Sequence, residues 1–269
     1  MPVVRDAQLR WTRIAACAWV AALLTAGCDD LTALRPVLDA AASDALSDGG
    51  TGRCAQTPVA CAAASLFCDG FELASDAKFP GWGVQLGNYA HPPADPATHA
   101  LATAAPVCHG ERSLAVQTVG AEQFAILSRQ AALPNPVYVR YYYYRPMSSD
   151  PAAVQMLQLG SSSAGGLGQL SLNSDSAVWQ DSAFHRFTFA AMRDRWTCVE
   201  LMVKRDATQG ALSLRIDDAA AGSYSGIDTR IGNGALDQIS IGATVGSGVS
   251  GTVQIYYDDV VVSAAPIGC

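Results

Sequence analysis

The run Val137–Arg145 (VYVRYYYYR) concentrates aromatic rings and guanidinium groups within nine residues. Its β-branched and aromatic residues predict a strand, whose side chains alternate between two faces. One face is the more apolar, and the other carries Tyr138, Arg140, Tyr142 and Tyr144. Aromatic rings pack on the C–H groups of pyranoses and arginine pairs with carboxylates, so this second face suits a sugar ligand.

A second predicted strand, Trp196–Lys204, offers neighbours for this surface. Its valines and leucine alternate as the residues of a buried face do, which turns Trp196 and Glu200 outward. Glu200 is then expected beside Arg140. Two interpretations stay open: these six outward residues bind a glycan, or the tyrosines are ordinary strand formers and Arg140 and Glu200 make a structural ion pair.

Acidic residues occur in two distant segments, Asp69 and Glu72 in one and Asp258 and Asp259 in the other. The second segment, Ile255–Ser263, predicts a closing strand, and alternation turns one of its two acids toward buried aliphatic residues. We expect this strand to pair with the first strand, which brings three or four carboxylates together. Such carboxylates repel one another, and Ca²⁺ with oxygen ligands is the natural solution. The alternative is that Asp258 is exposed and Asp259 caps backbone amides.

The N-terminus has the features of an export signal. Arginines precede a short apolar run, Ile14–Ala26, which is too short to cross a bilayer as a helix. The run ends at Leu24-Thr-Ala-Gly-Cys28, which resembles a bacterial lipobox. We predict a signal peptide over 1–27, a lipid on Cys28, and a location in the bacterial cell envelope, at the outer membrane or surface, with the membrane contacted through the lipid only. The alternative is an ordinary signal peptide with Cys28 in a disulfide.

The number of cysteines agrees with export. Once Cys17 is assigned to the signal and Cys28 to the lipid, an even number remains, and an even number in an exported chain implies disulfides. These cysteines are Cys54, Cys61, Cys68, Cys108, Cys198 and Cys269.

Composition predicts the organisation of the rest of the chain. Residues 29–53 are rich in Ala, Asp, Ser and Gly, and we predict a flexible tether with a small cysteine loop over 28–66. Over 67–269, short strands recur between turn residues, the pattern of an all-β antiparallel sandwich, with mostly loop over 74–106. The formal net charge of −7 argues against nucleic acid as a partner.

Several of these segments, in this order along the chain, resemble the concanavalin A-like lectin/glucanase superfamily. The resemblance covers about residues 67–269 and is to the laminin G-like and polysaccharide-lyase-like branch, although Asp218-Ala219 replaces the usual Asp-Gly turn. The segments are Phe67–Glu72 (FCDGFE), His109–Leu114 (HGERSL), Val137–Arg140 (VYVR), Trp196–Glu200 (WTCVE), Leu212–Asp218 (LSLRIDD), Ile239–Ala243 (ISIGA) and the closing YDDVVV.

The resemblance implies a jelly roll, in which two antiparallel sheets pack face to face and the outer face of the concave sheet binds glycans. It also implies that the first and last strands are antiparallel neighbours and that a structural calcium lies between them. The pairings that follow are Cys68–Cys269, Cys108–Cys198 and Cys54–Cys61.

Catalysis has less support in the sequence. Glycosidases need two suitably spaced carboxylates, and the E-x-D-x-x-E strand of the retaining glucanases in this superfamily is absent. Of the lyase motifs of this fold, Arg140-Tyr-Tyr-Tyr stands where R-x-E-L-R is expected, and the Q-I-H and Y-F-K-x-G-x-Y motifs are missing. We therefore expect a non-catalytic glycan-binding lipoprotein. The alternatives are a divergent polysaccharide lyase or glycoside hydrolase, and a structural envelope protein without a sugar ligand.

Overall fold

The computed structural model describes residues 54, 65–90, 94–161, 166–189, 192–232 and 234–269, all within the unit Gly50–Cys269. The predicted signal peptide, the lipidation site Cys28 and nearly all of the predicted tether lie outside these residues. Among the residues described, no helix is long and apolar enough to cross a membrane.

Fifteen β strands make up the regular structure of this described part. They are β1 (Ser65–Asp69), β2 (Gly83–Asn88), β3 (His99–Thr103), β4 (Ser113–Val119), β5 (Gln123–Gln130), β6 (Val137–Tyr144), β7 (Val154–Gly160), β8 (Leu167–Leu172), β9 (Ser176–Gln180), β10 (Phe184–Thr188), β11 (Trp196–Lys204), β12 (Gly210–Ile216), β13 (Ala219–Ile227), β14 (Gln238–Val245) and β15 (Thr252–Ser263).

The strands form two antiparallel sheets. The first sheet has the order β13-β12-β11-β6-β15-β4-β3, with β1 paired to β15 as an eighth strand. The second sheet has the order β10-β9-β8-β7-β14-β5-β2. The predicted all-β, two-sheet antiparallel sandwich is therefore confirmed.

The core lies between the inner faces of the two sheets. On β6, Val137, Val139, Tyr141 and Tyr143 belong to this core, so the predicted alternation of this strand is confirmed. On the second sheet, strands such as β14 contribute isoleucine, alanine and valine at every other position. Fully burying one large apolar side chain stabilises the fold by about 1.5–3 kcal/mol, and this repeated burial sets the register of each strand.

Four strands were not predicted. The segment 74–106, expected to be mostly loop, contains β2 and β3. Strands β9 and β13 were also missed; β13 (AAAGSYSGI) is largely exposed at the edge of the first sheet and is built from small residues. Small residues carry little strand propensity, so pairing with a stronger neighbour, β12, decides their conformation.

A bulge in the middle of β15 changes the direction of its two acids. Alternation is strict up to Tyr257, but the pairing with β6 shifts between Asp258 and Val261, and Asp259 has a positive φ of 47°. Val260 therefore faces the core like Tyr257, and neither acid does. The expectation that one acid would point toward buried aliphatics is wrong, because the bulge inserts a residue.

The expected neighbours β1 and β15 do pair, antiparallel, with Cys68 opposite Val261. The implied disulfide set is nevertheless wrong, because the chain continues beyond Ser263 and crosses the outer face of the first sheet to reach β11. Cys68 is also disulfide-bonded, and Cys61 lies outside the described residues. The described disulfides are Cys54–Cys108 and Cys198–Cys269, in place of Cys68–Cys269, Cys108–Cys198 and Cys54–Cys61.

Candidate functional site

The six residues predicted to bind a glycan do lie together on the outer face of the first sheet. Strands β6 and β11 pair so that Arg140 is opposite Glu200 and Tyr144 is opposite Trp196. The Tyr144 and Trp196 rings are 5.8 Å apart. Tyr138 and Tyr142 follow on the same face of β6, opposite Met202 and Cys198.

The C-terminal segment 264–269 covers this face. The carboxylate of Glu200 accepts hydrogen bonds from the backbone amides of Ile267, at 2.7 Å, and Gly268, at 2.8 Å. The Tyr142 hydroxyl donates to the Cys269 carbonyl at 2.8 Å, and the disulfide to Cys198 fastens the segment. The structure thus places Glu200 and Tyr142 beneath the chain's own tail, and the binding of a glycan by the six residues stays a prediction.

Arg140 is the most enclosed of these residues, with 1% of its surface exposed. Burial lowers the pKa of its guanidinium, while the nearby Tyr142, Asp259, Glu200 and Asp258 act in the opposite direction. One nitrogen, Nη2, donates to the Asp259 carbonyl at 3.4 Å. The Oε2 atom of Glu200 accepts from the two tail amides, and the charge of Glu200 still acts on the Arg140 guanidinium.

The hairpin between β12 and β13 holds the other side of the tail. Its turn residues Asp217 and Asp218 both have positive φ, 50° and 66°, as a two-residue hairpin turn requires. The Asp217 carboxylate accepts from the Cys198 amide at 2.9 Å, and that of Asp218 accepts from the Cys269 amide at 2.8 Å. Both cysteines of the disulfide are therefore positioned by one turn.

The four acids predicted to hold calcium lie near the β1–β15 pair, and each has a protein partner. Asp69 accepts from the Phe71 amide and the Trp82 indole nitrogen, both at 2.8 Å. Glu72 accepts from the amides of Glu111 and Arg112.

Asp258 is fully buried. It accepts from the amides of Cys108, at 2.9 Å, and His109, at 3.1 Å, and from the amide of Asp259. Desolvation, and then the Asp259 carboxylate, raise the pKa of Asp258 to about 8. The alternative in which Asp258 is exposed is therefore wrong, and it is Asp258, rather than Asp259, that caps backbone amides.

Asp259 contacts Nδ1 of His109, whose other ring nitrogen is buried without a partner among the described residues. A Cβ added at Gly70 would lie 3.2 Å from Oδ1 of Asp259 and 3.7 Å from Oδ1 of Asp258, so hard oxygen donors do converge there. The donor types suit Ca²⁺, but in the described part no group of three or more His, Cys, Asp or Glu is arranged to hold a metal. A structural calcium stays a prediction.

A different surface, the outer face of the second sheet, was missed. Five of its side chains lie in register across five neighbouring strands and form what we call the glutamine row: Ser128, Ser240, Gln158, Gln169 and Gln180, on β5, β14, β7, β8 and β9. Adjacent strands are about 4.8 Å apart, so the row extends roughly 19 Å across the sheet. The Ser128 and Ser240 hydroxyls are 2.8 Å apart.

A second row runs parallel to the first and ends in aromatic residues. Thr244 is opposite Phe124 on one side and Gln155 on the other, and Gln155 is opposite Ser171. The Phe124 ring packs 5.0 Å from the ring of Tyr89, which is 55% exposed. This end of the face therefore presents an accessible aromatic surface next to amide and hydroxyl groups.

Several amides of this face have no hydrogen-bond partner among the described residues. The side-chain nitrogen of Gln155 is buried without a hydrogen-bond partner. In the described part, the amides of Gln158 and Gln169 donate to and accept from no protein group, although Gln158 is only 8% exposed. Primary amides both donate and accept hydrogen bonds, as sugar hydroxyls do. A signal for this face was present in the sequence, since glutamine and serine alternate with leucine and isoleucine on β8 and β14.

Comparison with known proteins supports the architecture. One similar solved structure is that of "Cellulose induced protein, Cip1", with a TM-score of 0.59 and 14% identity over 76% of this chain and 99% of that chain. The fold is a jelly roll. An endo-beta-1,4-glucuronan lyase from the fungus Trichoderma reesei is similar with a TM-score of 0.55 and 14% identity, over 75% of this chain and 96% of that chain. Both are jelly-roll sandwiches of the concanavalin-like and lyase class. No family model and no curated protein matches the chain.

Proposed function

We propose that this chain is a non-catalytic glycan-binding protein, and that the glycan binds across the outer face of the second sheet. The observation that carries the proposal is the glutamine row beside the exposed Tyr89–Phe124 pair. Amides that lack protein partners exchange hydrogen bonds with sugar hydroxyls, while aromatic rings pack on the apolar faces of pyranoses. The two structural neighbours, one named for cellulose induction and one for glucuronan lysis, agree with a polysaccharide ligand.

This face is preferred over the predicted one because of what covers each. Arg140 and Glu200 are 1% and 5% exposed beneath the tail. On the second sheet, Gln158 and Ser240 are also buried, at 8% and 1%, whereas Gln130 and Gln180 are exposed and Gln169 and Gln238 are half-buried. A glycan reaches the second sheet without displacing a disulfide-fastened segment of the chain.

Catalysis is the less favoured alternative for this face. The strands β7, β8 and β14 contain no Asp, Glu, Lys, Arg or His. A hydrolase needs a pair of carboxylates, and proton abstraction by a lyase needs a base within hydrogen-bond reach. The described centre of the face offers neither.

Affinity electrophoresis in native gels that contain a polysaccharide tests the proposal. We expect at least one polysaccharide to retard the wild type, and the Gln158→Ala/Gln169→Ala double variant to lose at least tenfold in affinity. Gln254→Ala is the matched control, since Gln254 lies on β15 of the first sheet, and it should bind as the wild type does. Retardation by none of a broad panel, or release of reducing ends or unsaturated products, would contradict a non-catalytic glycan-binding protein.

We further propose that the domain is displayed on the cell envelope by a lipid on Cys28. The described disulfides support an oxidising, extracytoplasmic location. Expression of the full chain with labelled palmitate should give a labelled membrane protein, and Cys28→Ser should abolish the label. An unlabelled protein in the soluble fraction would contradict the anchor.

A further inference from the structure

We infer that the ligand of the second sheet is an uncharged glycan, and that the face discriminates against uronic acid polymers. This inference rests on the proposed glycan-binding function and adds the chemical class of the ligand. It follows from the charges of the central strands, from the types of polar group that they present, and from the charge of the whole chain.

The centre of the face carries no ionisable side chain. Strands β7, β8 and β14 have the sequences VQMLQLG, LGQLSL and QISIGATV, without a charged residue or histidine. On β5 the one charged residue is Arg129. Arg129 packs 4.3 Å from the centre of the Phe67 ring and 3.8 Å from the Asp69 carboxylate, so its charge is directed to the β1 region and away from the glutamine row.

The charges nearest in register lie at the edge and neutralise each other. Arg186 on β10 is opposite Val178 on β9, and its guanidinium is 3.3 Å from the Asp175 carboxylate. Both side chains are well exposed, so solvent and salt screen this pair further.

A uronate that bound the glutamine row would lose water without gaining a cation. Removing a carboxylate from water is costly unless a cation or several donors replace the lost hydration. Each glutamine has one amide group, whose donors and acceptor are matched to a neutral hydroxyl. An uncharged sugar therefore satisfies the row, whereas a carboxylate leaves the amide oxygens facing its own negative charge.

The net charge acts in the same direction over a longer range. The formal charge of the chain is −7, and a polyanion approaching an acidic protein is repelled. This repulsion and the neutral face both disfavour acidic polysaccharides, which are the ligands that a basic groove would bind.

Affinity electrophoresis of the wild type and of a variant with two added positive charges tests the inference. The neutral panel is mixed-linkage β-glucan, xyloglucan, xylan and galactomannan, and the acidic panel is polygalacturonate, alginate and glucuronan. We expect retardation by a neutral polymer, equal at 0.05 and 0.5 M NaCl, and none by an acidic one. The Gln158→Lys/Gln169→Lys variant should lose at least tenfold toward the neutral polymer and gain retardation by polyuronates that disappears in 0.5 M NaCl.

The outcomes distinguish a failure of this inference from a failure of the proposed glycan-binding function. Retardation of the wild type by a polyuronate, with or without neutral binding, overturns the uncharged class and leaves glycan binding intact. Retardation by neither panel overturns both. Neutral binding that survives the lysine substitutions places the ligand elsewhere and overturns the inference, provided that circular dichroism and the melting temperature show the variant to be folded.

Discussion

The carboxylate of Glu200 accepts a hydrogen bond of 2.7 Å from the backbone amide of Ile267 and so connects the middle of the first sheet to the C-terminal tail. Gly268 donates to the same oxygen at 2.8 Å. A glutamate that alternation placed in an open groove thus organises a covering segment. The outer face of the first sheet therefore serves to hold the tail, which covers β6 residues whose types would suit a sugar ligand.

Replacing this carboxylate should loosen the tail. Hydrogen bonds to a charged group contribute roughly 1.5–3 kcal/mol to stability, and Glu200→Gln keeps one acceptor oxygen but removes the charge. We expect the free energy of unfolding to fall by about 2 kcal/mol, measured by urea titration. Lys204→Gln, at an exposed site on the same strand, is the control and should change it by less than about 0.5 kcal/mol. Equal effects of the two substitutions would contradict the role of Glu200.

Removing the tail disulfide should cost stability without affecting glycan binding. Cys198 and Cys269 close a loop with a sequence separation of 71, for which chain entropy predicts roughly 4 kcal/mol. We expect the Cys198→Ala/Cys269→Ala variant to unfold at lower urea and to bind polysaccharide as the wild type does. If opening the tail created or greatly strengthened binding, the site would lie on Tyr138, Arg140 and Tyr142 instead.

The pKa of Asp258, raised to about 8 by burial and by Asp259, predicts a pH dependence. A carboxyl whose pKa is higher in the folded state stabilises the fold below its unfolded pKa, about 4, and this contribution is lost as the pH rises through about 8. In EDTA, the wild type should therefore lose stability between pH 5 and pH 8 more steeply than Asp258→Asn does. The variant is less stable overall, because its amide cannot accept all three backbone donors. Parallel pH profiles would contradict this account.

Calcium, still a prediction, has a direct test at the same cluster. An ion that binds only the folded state raises the melting temperature by mass action. We expect millimolar Ca²⁺ to raise it, EGTA to reverse the rise, and Asp259→Asn to reduce the response. Bound Ca²⁺ would also hold Asp258 ionised and flatten the pH profile described above. A melting temperature that neither Ca²⁺ nor EGTA changes would contradict a structural calcium site.

The sequence predicts the fold well because each strand carries its own alternation of apolar and polar residues, and this pattern recurs along the chain. Alternation on β6 and β11 gives the correct inner faces, and the closing strand does pair with the first. The bulge at Asp258 and Asp259 breaks the inward–outward alternation of β15 in one place, and the composition of YYDDVVV does not predict it. Disulfide partners depend on the path of the chain after Ser263, which no local pattern specifies.

The candidate site is harder to predict because residue type and accessibility are separate properties. Tyr142 and Arg140 have the right chemistry for a sugar but lie under the tail. Gln158 and Gln169 carry neither a charge nor a ring that marks a sugar site in the sequence, and the register is what shows that they lie side by side. On β8, the alternation of Gln169 and Ser171 with leucines indicates a polar outer face on the second sheet.

Side-chain amide resonances report directly on whether a glycan contacts the amides of the second sheet. We would titrate ¹⁵N-labelled protein with the neutral oligosaccharide of the best-binding polymer and follow the glutamine NH₂ signals. Those of Gln155, Gln158 and Gln169 should shift saturably, while those of Gln117 and Gln254 on the first sheet stay in place. Shifts confined to the first sheet, or no saturable shift at any glutamine of the second sheet, would contradict the account.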